Sequence, residues 1–363
     1  MIRLLDLGQS NDSLNGVIMK IEGISARLGS KPISNDDILK IIEENSRDFE
    51  GDLSKTLSVV QKLLQKSGSK NRRWLDEGER PIDLLKESVS DALSQASLKT
   101  SEIDLLIYVG VGRGFLEPGG AYLVAQALQM WSVECFDIID ACMSWTRALQ
   151  MSNALLKTKQ YKNILIVNCE CNMPENGPAN KNFSLKHSRQ LTHIFPTYTI
   201  GEACSATVLS DRIDDNFSVC FQSKPEYADL CTITTATYEG FCEPSDKIAL
   251  NGVGNFTSFG KELHTYLAEG AHQVMNQLSF SREDISKVFT HASTSTKWHQ
   301  YAQREGLEDK VFHIYPDTGN LVSASLPTAI HLALKEGAIK SGQNFLGWVG
   351  SAGMSFAAFK MTL

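Results

Sequence analysis

Two stretches of the chain share one design. SEIDLLIYVGVG (Ser101–Gly112) and REDISKVFTHAS (Arg282–Ser293) each run from an acidic loop into a short apolar strand, and Ile103 aligns with Ile285 at an offset of 182. A longer echo gives nearly the same number. WTRALQMSNALLKTKQYKNILIVNCE reads as helix, lysine-rich turn and buried strand, SLPTAIHLALKEGAIKSGQNFLGWVGS keeps that order, and Asn163 pairs with Asn344 at 181. Two anchors that agree within one residue mark an internal duplication.

That duplication constrains the fold. Helices of ten or more residues alternating with short buried strands predict α/β halves built on parallel sheets. Ala148, Leu149, Met151, Leu155 and Leu156 form the apolar stripe of the first helix, and Ile330, Leu332, Ala333 and Leu334 that of the second. Two such halves on a pseudo-twofold axis make a five-layer αβαβα sandwich with shared central helices. The halves are expected at 1–215 and 216–363.

The offset also says where chemistry can gather. Cys142 falls opposite residue 323, inside PDTGNLVSAS (Pro316–Ser325), and both stretches precede a central helix. Helix N-termini offer free N–H groups to a common crevice. His291 directly follows its strand, at the end where open α/β sheets bind ligands. Cys142, His291 and Asn320 are thereby expected to converge across the duplication.

Composition narrows the classes. A 363-residue chain with 42% apolar residues can bury a large layered core, and no apolar run approaches the ~20 residues of a membrane span. The opening MIRLLDLGQSNDSLNG lacks the apolar core of a secretory signal. The eight cysteines lie between Cys135 and Cys242, only Cys169 and Cys171 are close, and no zinc spacing appears, so a reduced, cytoplasmic protein without a metal is expected. A net charge of −7 argues against nucleic acid as a general partner. One stretch departs from that balance: KLLQKSGSKNRRW (Lys62–Trp74) holds five basic residues and no acid. It reads either as a solvated helix end and loop or as a dock for phosphate or an acidic protein.

Four motifs, in order on the repeat, resemble the β-ketoacyl-acyl-carrier-protein synthase III family of the thiolase-like superfamily. DACMSWTRAL matches the nucleophile element with Cys142, and HAST matches the histidine element with His291. GNLVSAS matches the asparagine element with Asn320, and VGSAGMSF echoes the Gly-rich strand end. The resemblance covers the chain from about Leu53 and implies a thiolase-like fold and a dimer, with Cys142 taking an acyl group from a thioester. It places the oxyanion hole at the N–H groups of Cys142 and Gly353, with no cofactor needed. A helix N-terminus should lower the thiol pKa. A malonyl-type extender would then lose carbon dioxide, and His291 and Asn320 would hold its enolate oxygen.

Departures from the family pattern point to the substrate-binding candidates. Trp145 follows Cys-Met-Ser, which predicts a reshaped acyl pocket, and Thr294 takes the place of a family asparagine. The tryptophan expected to stack on adenine has its place near Lys62, while Lys66 stands for an arginine. A carrier protein met by Lys66, Arg72 and Arg73 is therefore favoured over free coenzyme A. In GRGFLEPGGA, the loop that the family sends across the dimer interface, Phe115 and Glu117 alter the tunnel end. The acidic stretch NDDILKIIEENSRDFEGD in the first 52 residues has no counterpart in the family.

The expectation is a Claisen-type condensing enzyme, an acyltransferase in the broad sense, in secondary-metabolite or fatty-acid-type biosynthesis. Two rivals stay open: an acyltransferase of the same fold using a hydroxyl or amine acceptor, and a non-catalytic subunit of a heterodimer.

Overall fold

The structure, a computed structural model, describes residues 19–211 and 217–363, so the expected boundary between 215 and 216 and the opening MIRLLDLGQSNDSLNG lie outside the described residues. The first half opens with β1 (Lys20–Leu28), β2 (Lys31–Ser34), α1 (Asn35–Asn45), α2 (Leu53–Ser67), β3 (Asn71–Trp74) and α3 (Pro81–Ala96). It continues through β4 (Leu105–Val109), α4 (Gly120–Ala127), β5 (Glu134–Ile138), α5 (Ser144–Lys157), β6 (Asn163–Glu170), α6 (Leu191–Ile194) and β7 (Ala203–Ser210). After it come β8 (Ser218–Ser223), β9 (Cys231–Thr232), β10 (Thr257–Ser258), α7 (Gly260–Gln277) and β11 (Ile285–Thr290). The chain ends with α8 (Ser295–Glu305), α9 (Tyr315–Thr318), α10 (Ser325–Lys335), β12 (Asn344–Ser351) and β13 (Ser355–Thr362).

The duplication is visible in both sheets. One runs β1-β7-β6-β4-β5 and the other β8-β13-β12-β11, the same order, with β4 and β6 matching β11 and β12 at the offset found in the sequence. In the first sheet Ile107 faces Phe136 of β5; in the second, that fifth place shrinks to one parallel bridge between Val288 and Val311. The expectation of parallel sheets is corrected: β4 pairs in parallel with β5 and β6, and β11 with β12, but β7 and β13 run antiparallel to their neighbours. The reason is covalent for β12 and β13, whose three-residue connection is far too short for a parallel crossover.

Burial follows the layers. Along β4 every side chain is buried: Leu105, Ile107 and Val109 face the central helices, and Leu106 and Tyr108 face the outer ones. α5 and α10 fill the space between the sheets with Trp145, Ala148, Leu149, Leu326, Ala329 and Ile330. α3 and α4 cover the outer face of the first sheet, and α7 and α8 that of the second. Three apolar cores separating five layers are the αβαβα sandwich. Met151, expected in the stripe of α5, is instead exposed.

The acidic stretch unmatched by the family is a packed element. Ser34 accepts from the Asp37 N–H, Asp37 accepts from the Ser34 N–H at 2.8 Å, and this reciprocal cap starts α1. Ile38 and Ile42 of α1 then join Val60 and Leu64 of α2 in a fourth core with Phe183 and Tyr198.

Trp145 lies at the centre of the sandwich, its Nε1 donating to Thr207 Oγ1 at 3.0 Å and its ring tilted against Phe359. Its truncation in Trp145→Ala should cost about 3–5 kcal/mol of unfolding free energy, measured by denaturant titration.

Candidate active site

Two short turns meet at the middle of the molecule. Ala141–Met143 leads into α5, Val322–Ala324 leads into α10, and the turns pack against each other. Each starts on a non-glycine residue in the left-handed region, Ala141 at φ 44° and Val322 at φ 50°. Such a conformation costs of order ~1 kcal/mol and persists where the surroundings impose it. The imposing groups are strand ends of the opposite half. Ser351, last residue of β12, accepts the Met143 N–H at 3.2 Å and donates to the Asp140 carbonyl at 3.3 Å. Glu170, last residue of β6 and the 181-offset equivalent of Ser351, accepts from the Ser323 N–H at 3.3 Å and from its hydroxyl.

Cys142 is half-buried within this frame. Two backbone N–H groups reach its sulfur, those of Ala352 and of Cys142 itself. In the β12–β13 connection Gly353, the expected second oxyanion donor, supplies the bend at φ 73°, and the amide next to the sulfur is that of Ala352. The expected low thiol pKa is also corrected. Burial pushes Cys142 well above the ordinary thiol value, the neighbouring Cys231 and Glu170 add to the rise, and the two N–H groups only moderate it.

His291 is buried at the end of β11, its own N–H bonded to the Trp348 carbonyl at 3.0 Å. The Ser325 hydroxyl lies 3.3 Å from the ring Nδ1 and 2.7 Å from the Val322 carbonyl, and with Nδ1 as acceptor the single N–H of the neutral ring is at Nε2. That leaves Nε2 for a substrate. Burial pulls the pKa of His291 down to about 3, so the ring is neutral at physiological pH. Asn320 is fixed with equal definition. Its backbone bonds Thr199 and Gly201, and its Oδ1 accepts the Val322 N–H at 2.9 Å, so that Nδ2 is the end free to donate. Val322 thus adjoins both, His291 through its carbonyl and Ser325, and Asn320 directly through its N–H.

Other candidates fall elsewhere. Arg72 is fully buried, its guanidinium donating to Ile33 O at 3.2 Å and to Asn35 Oδ1 and Ser69 Oγ at 2.9 Å each, and burial lowers its pKa to about 10. It pins the paired strands β2 and β3 to the turn at Ser69. Arg73 is spent on the carbonyls of Gly29 and Ser30, at 2.9 and 2.6 Å. Lys62, Lys66 and Lys70 remain exposed. Trp145 is core and lines no pocket. Thr294 donates to the Ser67 carbonyl at 3.0 Å, and Thr296 to that of Lys66 at 2.9 Å, so Thr294 staples α8 to the end of α2 and does not replace the asparagine's donor. Phe115 and Glu117 are exposed on a loop whose neck is held by the 2.8 Å Arg113–Asp137 ion pair.

Residues 275–363 match the family described as 3-oxoacyl-[acyl-carrier-protein (ACP)] synthase III C terminal. A β-ketoacyl-[acyl-carrier-protein] synthase III of Clostridium beijerinckii is 23% identical over 346 residues, covering 94% of this chain and 98% of its own. One from Aliarcobacter butzleri is 26% identical over 333 residues, covering 89% and 91%. The chain is β-ketoacyl-acyl-carrier-protein synthase III-like. Solved structures agree on the fold. OleA of Xanthomonas campestris, with bound lauric acid and lauroyl-CoA, superposes with a TM-score of 0.79 at 16% identity over 95% of this chain and 99% of its own. The synthase III of Aquifex aeolicus gives 0.73 at 21% identity, covering 95% and 100%.

In this synthase III-like chain the sequence reading passed over Glu170, Ser351, Ala352 and Cys231. The first two carried a signal, since the offset that pairs the turns also pairs the strand ends that hold them.

A thiol raised by burial is protonated near neutrality, so its reactive fraction should grow about tenfold per pH unit. Alkylation of Cys142 by iodoacetamide, followed by peptide mapping, should accelerate from pH 6 to pH 9 without levelling; a plateau below pH 8 contradicts this.

Proposed function

We propose that the chain joins an acyl group held on Cys142 to a malonyl or β-ketoacyl thioester by Claisen condensation. The observation that carries this reading is the packing of the Cys142 turn against the turn 322–324, which is flanked by a neutral imidazole and an oriented carboxamide. In the first half-reaction the Cys142 sulfur attacks an acyl thioester, its proton passes to the departing thiolate, and the Ala352 and Cys142 N–H groups hold the oxyanion. With a malonyl thioester, loss of carbon dioxide leaves an enolate. A neutral His291 whose single N–H is at Nε2, together with Asn320 Nδ2, supports its oxygen without a competing positive charge. The enolate carbon attacks the acyl carbonyl, a carbon–carbon bond forms, and the Cys142 thiolate leaves and takes up a proton.

Transfer to a hydroxyl or amine has no use for an enolate-holding donor, and Asn320 Oδ1 is tied down in the way that leaves one. A scaffold subunit has no use for the set at all.

The donors to try are carrier-protein and coenzyme A thioesters, the first from the relatives' names and the second from the lauroyl-CoA held by OleA. Exposed Lys62, Lys66 and Lys70 favour an acidic carrier. We further infer a homodimer, with Phe115, Leu116, Tyr122, Trp131 and Ile139 exposed on segments beside the edge strand β5 and available to a second copy. All eight cysteines are free, which suits a reducing, cytoplasmic compartment, and no helix among the described residues is long and apolar enough to cross a membrane. The substrate pattern of a secondary-metabolic enzyme remains our reading of the altered loop 113–119.

Intact-mass measurement after incubation with acyl thioesters should show one adduct, mapped to Cys142 and absent from Cys142→Ala. Adding malonyl-CoA or a malonyl-carrier thioester should then discharge it as a longer product. An adduct released only to hydroxyl or amine acceptors overturns condensation. Reversing Lys62, Lys66 and Lys70 to Glu should raise KM for carrier-bound donors roughly tenfold and leave coenzyme A donors within about twofold.

A further inference from the structure

Glu170 is a fully buried carboxylate that the mechanism above does not use. It is also surrounded by donors. Oε1 accepts from the Ser323 hydroxyl, the Ser323 N–H and the Val111 N–H, the last two at 3.3 Å. Oε2 accepts from the Gly112 N–H at 3.0 Å and from Asn172 Nδ2 at 3.2 Å. Five donors on two oxygens offset the cost of burying the charge, while burial itself pushes the carboxyl pKa up. Space has been kept for the group: a Cβ on Gly110, at φ 105°, would run into Glu170 Oε1 and Ser323 Oγ.

The duplication shows what this arrangement is for. Ser323 stands where Cys142 stands in the first half, and Glu170 where Ser351 stands in the second. Ser351 holds the turn that presents the nucleophile. By the same operation Glu170 holds the turn 322–324, and that turn orients the enolate donors: the Val322 carbonyl lies 2.7 Å from the Ser325 hydroxyl that meets His291 Nδ1, and the Val322 N–H donates to Asn320 Oδ1. From Glu170 the path to Asn320 is two polar contacts long, and that to His291 three.

We propose that Glu170 is a positioning residue of the condensation half-reaction, clamping the Ser323 turn so that His291 and Asn320 point their donors at one enolate oxygen. The proposal rests on the condensation reading and adds a division of labour to it. Ser351 serves the acyl-loading turn, and Glu170 serves the carbon–carbon bond-forming one. A general packing role would affect both half-reactions alike. A positioning role separates them, and the electrostatics sharpens the separation, because Glu170 raises the thiol pKa of Cys142. Removing its charge should leave loading untouched or faster while condensation slows.

The test uses the full chain and its Glu170→Gln and Ser323→Ala variants. Loading is read as the rate of the Cys142 adduct by intact mass. Condensation is read as single-turnover discharge of the preloaded enzyme by a malonyl thioester, with KM and kcat separated. The expected result is loading at or above the wild-type rate, kcat of condensation down 10- to 100-fold, and KM for the extender within about twofold, in both variants. If Glu170→Gln does not fold, Ser323→Ala decides alone, since it removes one hydroxyl from the same link. Condensation within twofold of wild type, or loading and condensation falling together, overturns the proposal. Failure of the wild-type enzyme to discharge its adduct onto malonyl overturns the condensation reading instead.

Discussion

The end of a strand in one half holds a bend in the other. Without that reciprocal grip, the Ala141 and Val322 backbones would leave the left-handed region for cheaper conformations. Cys142 and the donors around Val322 would then lose their common aim. The grip in turn depends on where the strands end. β6 must stop at Glu170 and β12 at Ser351, and both are central strands buried on two faces, so their ends move only if a whole sheet moves. Precision at the crevice is thus inherited from the most rigid part of the sandwich, which is how a catalytic constellation can be held without disulfides or a metal.

Burial sets the resting charge state of the crevice. Burial pushes the thiol toward its protonated form and the imidazole toward its neutral form. Neither group is charged before substrate arrives, although a thiolate–imidazolium pair would be the alternative for the same two side chains. The negative charge that the chemistry needs is made during reaction, first as a tetrahedral oxyanion and then as an enolate, beside donors already in place. Fixed dipoles act more strongly in such surroundings than in water, because no solvent competes for the new charge.

Much of this was readable from the residues. The strand Leu105–Val109 falls at its expected limits, and α5 and α10 begin at Ser144 and Ser325, one offset apart, because long periodic segments between turn residues leave few alternatives. What escaped were features that depend on partners distant in sequence. Arg72 looks like a surface charge inside a basic run until β2, whose Ile33 lies 39 residues earlier, pairs beside it. Trp145 sits beside the nucleophile in the chain, yet a helix turns successive side chains by about 100°, and this one faces the sheet. Glu170 closes an apolar run, and nothing local announces five donors converging on it. Thr294 was matched to an asparagine by position, but its shorter side chain finds the Ser67 carbonyl first.

Duplication usually invites the picture of two modules, each complete and one of them idle. The crossed grip of Ser351 and Glu170 excludes it. A half expressed alone would retain a sheet and helices, yet its own turn would lack the residue that bends it, and its strand end would grip nothing. Cut into two polypeptides, the molecule would behave as an obligate heterodimer, whose activity rises with the product of the two fragment concentrations and not with either one. The single chain keeps those partners at a permanently high effective concentration.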